Sequence, residues 1–517
     1  MGLDLHNVVF SVSAILILVF VLGSLIVPDL VNSWMGGVRN FFETTFDWAF
    51  LTAGNLFVVF CLALIFLPVG KIRLGGTTMK PEFSTISWFS MLFAAGMGIG
   101  LMFWAVAEPM HYFTGAFDTW NPMGVEGGTD QARRAAMGAT MYHWGLHPWA
   151  IYGVVALALA FFTYNKGLPL TIRSTFYPLL GDRVWGRTGD VIDILAVLAT
   201  LFGLATSLGL GAQQAAAGLN FLNEGIPNSL ATQVAIIIGV TFVALVSVMR
   251  GLDGGVKVLS NINMVMAGVL MLVVILAGGI IAFVVQIFQT GSSYAQYLLP
   301  LSNPVGREAD VDFYHGWTVF YWAWWISWSP FVGMFIARVS KGRTVRELLT
   351  AVLVIPTAVT VGWMSAFGGN GLDQAQEGVG SLGSVGVFGE ESIVTELALF
   401  QMLENLHLFG LPISALASAL AIILVLVFFV TSSDSGSLVI DSITAGGKVD
   451  APQAQRVFWV MIEGLIAAVL LFGGGLGALQ AAAIATGFPF AVILILMCVS
   501  LIKGLTHEQK ILELTKA

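Results

Sequence analysis

Charge is scarce in this sequence. Of 517 residues, 10% are Asp, Glu, Lys or Arg, and the formal balance is −8. A soluble domain carries about 25%, which argues against a water-exposed surface over most of the chain. The 22 basic residues are scattered over short loops. That excludes the dense basic face a nucleic-acid partner requires. Cysteine is nearly absent. Cys61 and Cys498 lie in separate apolar runs, so a disulfide scaffold is not expected and the redox compartment cannot be read. The first apolar segment, Val8–Val27, has no basic stretch before it and no A-x-A site after it. It is predicted to be a retained helix and not a cleaved signal. No nucleophile–base pair or metal cluster stands out, so an enzyme is disfavoured and no cofactor is expected.

Apolar residues take the place of the missing charge. They make up 57% of the chain, and the mean hydropathy is +0.88. Runs near the ~20 residues that cross a bilayer recur throughout. Twelve can be counted, roughly at 8–27, 48–69, 85–107, 139–164, 190–222, 231–249, 258–288, 313–337, 345–367, 412–440, 453–474 and 478–502. The predicted fold is an all-α polytopic membrane protein with twelve transmembrane helices. Cytoplasmic loops collect Lys and Arg, which tests the count. With both termini cytoplasmic, eighteen fall inside and four outside: Arg39, Arg133, Arg134 and Arg307. A miscounted span would mix the two sets.

Residues 1–84 hold two N-terminal spans, and 85–288 hold a block of five. A connecting interfacial segment, 289–312, leads to a second block of five, 313–502, and a short cytoplasmic tail, 503–517. A five-span block starts inside and ends outside, so its successor is inverted. Secondary transporters built from inverted repeats bind substrate between them, near the midplane. The stretch near 285–300 reads as a helix along the outer interface and 394–407 as a short surface helix. The longest outer loop, about 368–393, contains Gly-Gly-Asn-Gly and Glu-Glu and is expected to be mobile.

Four motifs carry chemistry. Tyr321-Trp322-Ala323-Trp324-Trp325-Ile326-Ser327-Trp328-Ser329-Pro330 places Trp324, Trp325 and Trp328 on one helical face. Tryptophan in a membrane helix marks the lipid–water interface, or, clustered on one side, an aromatic wall for a cation. Trp144, Trp149 and Tyr152 can oppose that wall, with Pro148 expected to kink the helix between them. His143 and His147 have i, i+4 metal-ligand spacing, but without Cys or carboxylate on that face they read as structural. Gly96-Met97-Gly98-Ile99-Gly100 contains a GxxxG packing pair, yet three alternate glycines also weaken a helix. An unwound segment there would free N–H groups for an anion and carbonyls for a cation. Thr431-Ser432-Ser433-Asp434-Ser435 places adjacent hydroxyls deep in a helix. They either bond back to the backbone or serve a small hard cation.

With these motifs the chain closely resembles the betaine/choline/carnitine transporter family over roughly 8–505. The resemblance rests on Gly96-Met97-Gly98-Ile99-Gly100, on Trp144, Trp149 and Tyr152, on Trp322 to Trp328 with the following Arg338, and on Thr431 to Ser435. It implies a leucine-transporter-type five-plus-five inverted repeat and a homotrimer in the bilayer. It implies that Trp144, Trp149, Tyr152 and Trp325 form a central aromatic box. Trp324 and Trp328 would line the same cavity, and Trp322 would lie toward the cytoplasmic exit. One sodium would be held by carbonyls of Ala94, Met97 and Phe428 and hydroxyls of Thr431 and Ser432. A second sodium site would use two threonines on span five and a phenylalanine. Those positions read Thr200, Leu204 and Phe331, and the leucine departs from the pattern.

The expected function is import of glycine betaine or a similar compatible solute across the cell (inner) membrane, driven by sodium. A trimethylammonium cannot donate hydrogen bonds, so aromatic faces suit it. Its carboxylate would meet freed N–H groups near Met97, Gly98 and Gly100. Choline would favour an acid there, and the motif ends with Gly100. Dimethylsulfoniopropionate, carnitine and ectoine remain open. Proton coupling, including proton-coupled choline uptake, is the rival, with Glu108 at the outer mouth, Asp434 and Glu463 as candidate groups. Arg338 and Asp434 are expected to pair as an inner gate, because unpaired charge at membrane depth is costly.

Overall fold

Long apolar runs can satisfy their backbone within a bilayer only as helices or closed barrels. Helices are what form in the computed structural model of this chain. It describes residues 5–96, 98–115, 122–251, 257–303, 305, 310–384, 393–448 and 452–516. Nine helical stretches among the described residues are long and apolar enough to cross a membrane.

The chain begins with α1 (Asn7–Ile26) and α3 (Asp47–Phe66), joined by α2 (Pro28–Thr45), which starts at a proline. The glycine motif then divides α4 (Thr85–Gly96) from α5 (Ile99–Thr114). Next come α6 (Asp130–Trp144), α7 (Leu146–Tyr164), the short α8 (Tyr177–Leu180), α9 (Arg187–Leu222), α10 (Leu230–Gly251) and α11 (Lys257–Gly278). Helix α12 (Ile280–Ser302) lies where an interfacial helix was expected, but the seventh span is shorter than predicted. Gly279, with φ 97°, ends it, a conformation that favours glycine.

The second half opens with α13 (Val311–Phe313), a π-helical turn over Tyr314–Val319, and α14 (Phe320–Val339). It continues with α15 (Val345–Glu377), α16 (Gly380–Gly383), α17 (Ala398–Glu404), a two-stranded hairpin at His407–Leu408 and Leu411–Pro412, α18 (Ser414–Thr444) and α19 (Gln453–Lys516). Gly474 and Gly475 break α19 with non-helical angles. Helix α7 is sheathed by α14, α15 and α3, and α9 packs on α18 and α19.

Two outer expectations fail for packing reasons. Residues 368–377 continue α15 and are not loop. A Cβ at Gly368 would lie 2.7 Å from the Ala105 carbonyl, and one at Gly371 2.8 Å from Val106. These glycines let α15 press against α5. Glu390 and Glu391 lie outside the described residues. Helix α17 is not a surface element either: Ala398, Leu399, Phe400, Met402 and Leu403 are buried. Cys61 and Cys498 are free and buried.

Candidate substrate site

The site is assembled by two interruptions. Gly98 is fully extended (φ −169°, ψ −172°) between α4 and α5, so the helix breaks within the glycine motif. Met97 lies outside the described residues. The second break is Gly145 (φ −99°, ψ −125°), between α6 and α7. The expected kink at Pro148 is therefore three residues early. Pro148 sits in the first turn of α7, where a missing N–H costs no intrahelical bond. Tyr294 of α12 closes against the gap, its hydroxyl accepting from Leu146 N at 2.8 Å. A Cβ at Gly145 would meet that hydroxyl at 2.6 Å.

The aromatic rings meet as one chain. Trp144 stands edge-on to Trp325 at 4.8 Å between centroids, Trp325 to Tyr152 at 6.3 Å, and Tyr152 to Trp149 at 5.4 Å. Edge-to-face pairs at these separations contribute about 0.5–1.5 kcal/mol each beyond burial. The four rings keep slight exposure inside the protein: Trp144 6%, Trp149 4%, Tyr152 3% and Trp325 5%. Neighbouring Trp322 has none. The four are therefore slightly less closely covered than Trp322.

Glycine 100 makes this closeness feasible. A Cβ there would lie 2.8 Å from both Trp144 and Trp324. Trp324 stacks on Trp325 at 4.7 Å and 14°, and its indole N–H donates to Ser207 at 3.2 Å. Trp325 donates to the His143 carbonyl at 2.9 Å, which the break at Gly145 leaves near the gap. Trp328 is half-buried beside Gly98, Gly203 and Phe331. The glycine break and the tryptophan face therefore converge, as the motifs suggested. Trp322 turns away from the other rings of its motif. It stacks on His147 at 5.0 Å and 14° and packs over Gly54 of α3.

The histidines turn to separate partners. His143 Nδ1 lies 2.7 Å from Glu108, and its Nε2 2.9 Å from Thr318. His147 Nε2 meets Asn55 at 3.0 Å. Among the described residues no group of three metal-type ligands forms. Glu108 itself is a correction. It is fully buried beside Trp144 and Tyr321, not at the outer mouth. Sequence spacing could not show this, because its partners come from α6 and α14.

The hydroxyl motif on α18 is partly engaged. The Thr431 hydroxyl bonds back to the Val427 carbonyl at 3.1 Å and the Phe428 carbonyl at 3.2 Å, and accepts from Asn263 Nδ2 of α11 at 2.8 Å. Two oxygens side by side suit a small hard cation, and half-buried Ser432 follows them. Ala94 is half-buried near the end of α4. Asn263 was not legible in the sequence; its one signal is a lone amide in an apolar helix.

The residues of the second cation set turn to other partners. Thr200 spends its hydroxyl on the Ala196 carbonyl at 2.7 Å. Leu204 is buried tightly against Gly436 of α18. Phe331 packs edge-on to Trp328 at 5.4 Å. The expected gate pair is not formed. Asp434 takes a hydrogen bond from Ser247 of α10, and half-buried Arg338 lies at the end of α14 near Tyr164. Neighbouring Ser433 donates to buried Glu463 at 2.8 Å.

Comparison with known proteins fits this arrangement. The betaine/carnitine/choline family transporter profile matches residues 8–510. Glycine betaine transporter 1 of Vibrio parahaemolyticus is 58% identical over 98% of this chain and 95% of its own length. A glycine betaine/proline/choline/ectoine transporter of the same species is 56% identical over 98% and 88%. A glycine betaine transporter of Bacillus subtilis is 44% identical over 96% and 93%. The chain is thus a multi-pass membrane transporter and not an enzyme, and it belongs to the betaine/carnitine/choline transporter family.

Proposed function

We propose that this chain imports glycine betaine, or a close quaternary-ammonium zwitterion, using the sodium gradient. The observation that carries the reading is the unbroken ring chain Trp149–Tyr152–Trp325–Trp144, set against the break at Gly98. The rings offer π faces to a trimethylammonium, each contributing ~0.5–2 kcal/mol when dry. The extended backbone at Gly98 would meet the carboxylate. Sodium would enter beside Phe428, Thr431 and Ser432, with Ala94 and Met97 completing the shell. One sodium per cycle is the expected stoichiometry, because Leu204 packs where a second site needs oxygen.

The membrane arrangement belongs to the same proposal. Twelve spans follow if the broken α4–α5 pair and the α13–α14 unit each cross once and α19 crosses twice about Gly474. Each five-span block then opens with an irregular helix: extended at Gly98 in one, π-helical over Tyr314–Val319 in the other. That parallel supports an inverted repeat. Both termini would face the cytoplasm of a cell whose inner membrane holds the protein as a homotrimer. Binding of glycine betaine to the purified chain, measured by calorimetry with sodium and with potassium, tests the reading. Tighter binding in sodium is expected, and no betaine binding in either salt would overturn it.

A further inference from the structure

Glu108 of α5 is fully buried and surrounded by donors. Its Oε1 receives the Tyr112 hydroxyl at 2.9 Å and faces His143 Nδ1 at 2.7 Å. Its Oε2 receives the Trp144 indole N–H at 2.7 Å and the Tyr321 hydroxyl at 2.6 Å. An indole N–H can only donate, and an ionised carboxylate offers about four acceptor sites. Four donors therefore match a carboxylate ion. With His143 Nδ1–H toward Glu108, a neutral ring accepts from Thr318 at Nε2, 2.9 Å away. Among the described residues no Lys or Arg pairs with Glu108.

A buried carboxylate beside no Lys or Arg is costly within a membrane, and such groups mark substrate paths. Two of its four partners lead to the box. Trp144 is one of the box rings, and Tyr321 lies 5.7 Å from Trp144 and 5.8 Å from Trp325. The charge is thus one side chain away from the aromatic box.

We propose that Glu108 is the remote counter-ion of the transported cation and sets the preference for a quaternary ammonium over an uncharged group of the same shape. It rests on the aromatic-box reading above. Glu108 does not touch substrate in this account; it positions Trp144 and supplies a fixed field. Its carboxylate holds the indole N–H and so orients the ring within the box. The same negative charge attracts a cation across a dry, weakly screening site, where attraction far exceeds that in water. A neutral group gains from the ring packing but not from the charge.

The test compares glycine betaine with 3,3-dimethylbutanoate, which keeps the shape and carboxylate but replaces the ammonium nitrogen by carbon. Calorimetry on the purified full chain gives both dissociation constants, and their ratio is the readout. Glu108→Gln keeps size and most hydrogen bonds but removes the charge. The betaine preference should fall about tenfold, as expected for unit charges about 10 Å apart at an effective dielectric near 20, with the isostere's own constant changing less than about threefold. If both ligands weaken equally, or the ratio does not change, Glu108 is scaffolding and the proposal fails. If the unmodified protein does not distinguish the two ligands, the aromatic-cation reading itself fails. Tyr112→Phe covers the case in which Glu108→Gln does not fold. It removes one donor and leaves the charge, so the ratio should hold or rise; a tenfold fall would overturn the charge argument.

Discussion

Replacing Trp325 by leucine should expose the energetic core of the site. Trp325 is the ring through which the box is joined. It stands edge-on to Trp144 and Tyr152 and stacks on Trp324. Leucine keeps apolar bulk but removes one π face, a loss of ~0.5–2 kcal/mol for a desolvated cation. It also removes the edge contact that holds Trp144, worth about 0.5–1.5 kcal/mol. Added together, about 1–3.5 kcal/mol, these predict a betaine dissociation constant weaker by roughly fivefold to a few hundredfold, since ~1.4 kcal/mol is tenfold. The His143 carbonyl loses its 2.9 Å donor as well, which should lower thermal stability by about 1–3 kcal/mol. Calorimetric binding and a melting curve on the same sample separate the two effects. Trp325→Phe should be milder in both. Normal betaine binding by Trp325→Leu would refute the cation wall and leave the tryptophans as packing.

Other outcomes follow from the same geometry. Gly100→Ala places a Cβ 2.8 Å from two tryptophans, so it should cost about 1–3 kcal/mol of stability and weaken betaine binding; unchanged binding would show that those rings shift freely. Joint replacement of Thr431 and Ser432 by alanine should raise the sodium concentration for half-maximal uptake about tenfold or more, and an unchanged value would remove the cation from α18. Because Asp434 is held by Ser247 and not by Arg338, Asp434→Asn and Arg338→Gln should have additive effects on labelling of a cysteine near Trp322; coupling above about 0.5 kcal/mol would reveal a pair in another conformation.

Much of this architecture could be read from periodicity and composition. Apolar run length located the long helices, and the alternate glycines located the break at Gly98. Aromatic clusters on two segments suggested that their rings face each other, and Trp144, Trp325, Tyr152 and Trp149 do lie in one chain of ring contacts. What remained hidden depends on contacts between distant segments. The glycines at 368–371 resemble a loop until Ala105 and Val106 are seen against them. Trp322 shares a motif with Trp325, yet α3 and His147 claim its ring. Glu108 looks like a mouth residue in a linear reading, and its burial depends on Trp144 and Tyr321 arriving from elsewhere. Leu204 was visible as a departure, but the residue it packs against, Gly436, lies on another helix.

The most direct measurement is betaine uptake into liposomes containing the purified chain, with an imposed inward sodium gradient and a negative interior. One charge moving through ~100 mV is worth ~2.3 kcal/mol, enough for roughly fifty-fold accumulation. The account predicts concentrative uptake that depends on both sodium and voltage, with one sodium per betaine. Equal uptake when potassium replaces sodium, or uptake driven by a proton gradient alone, would contradict it.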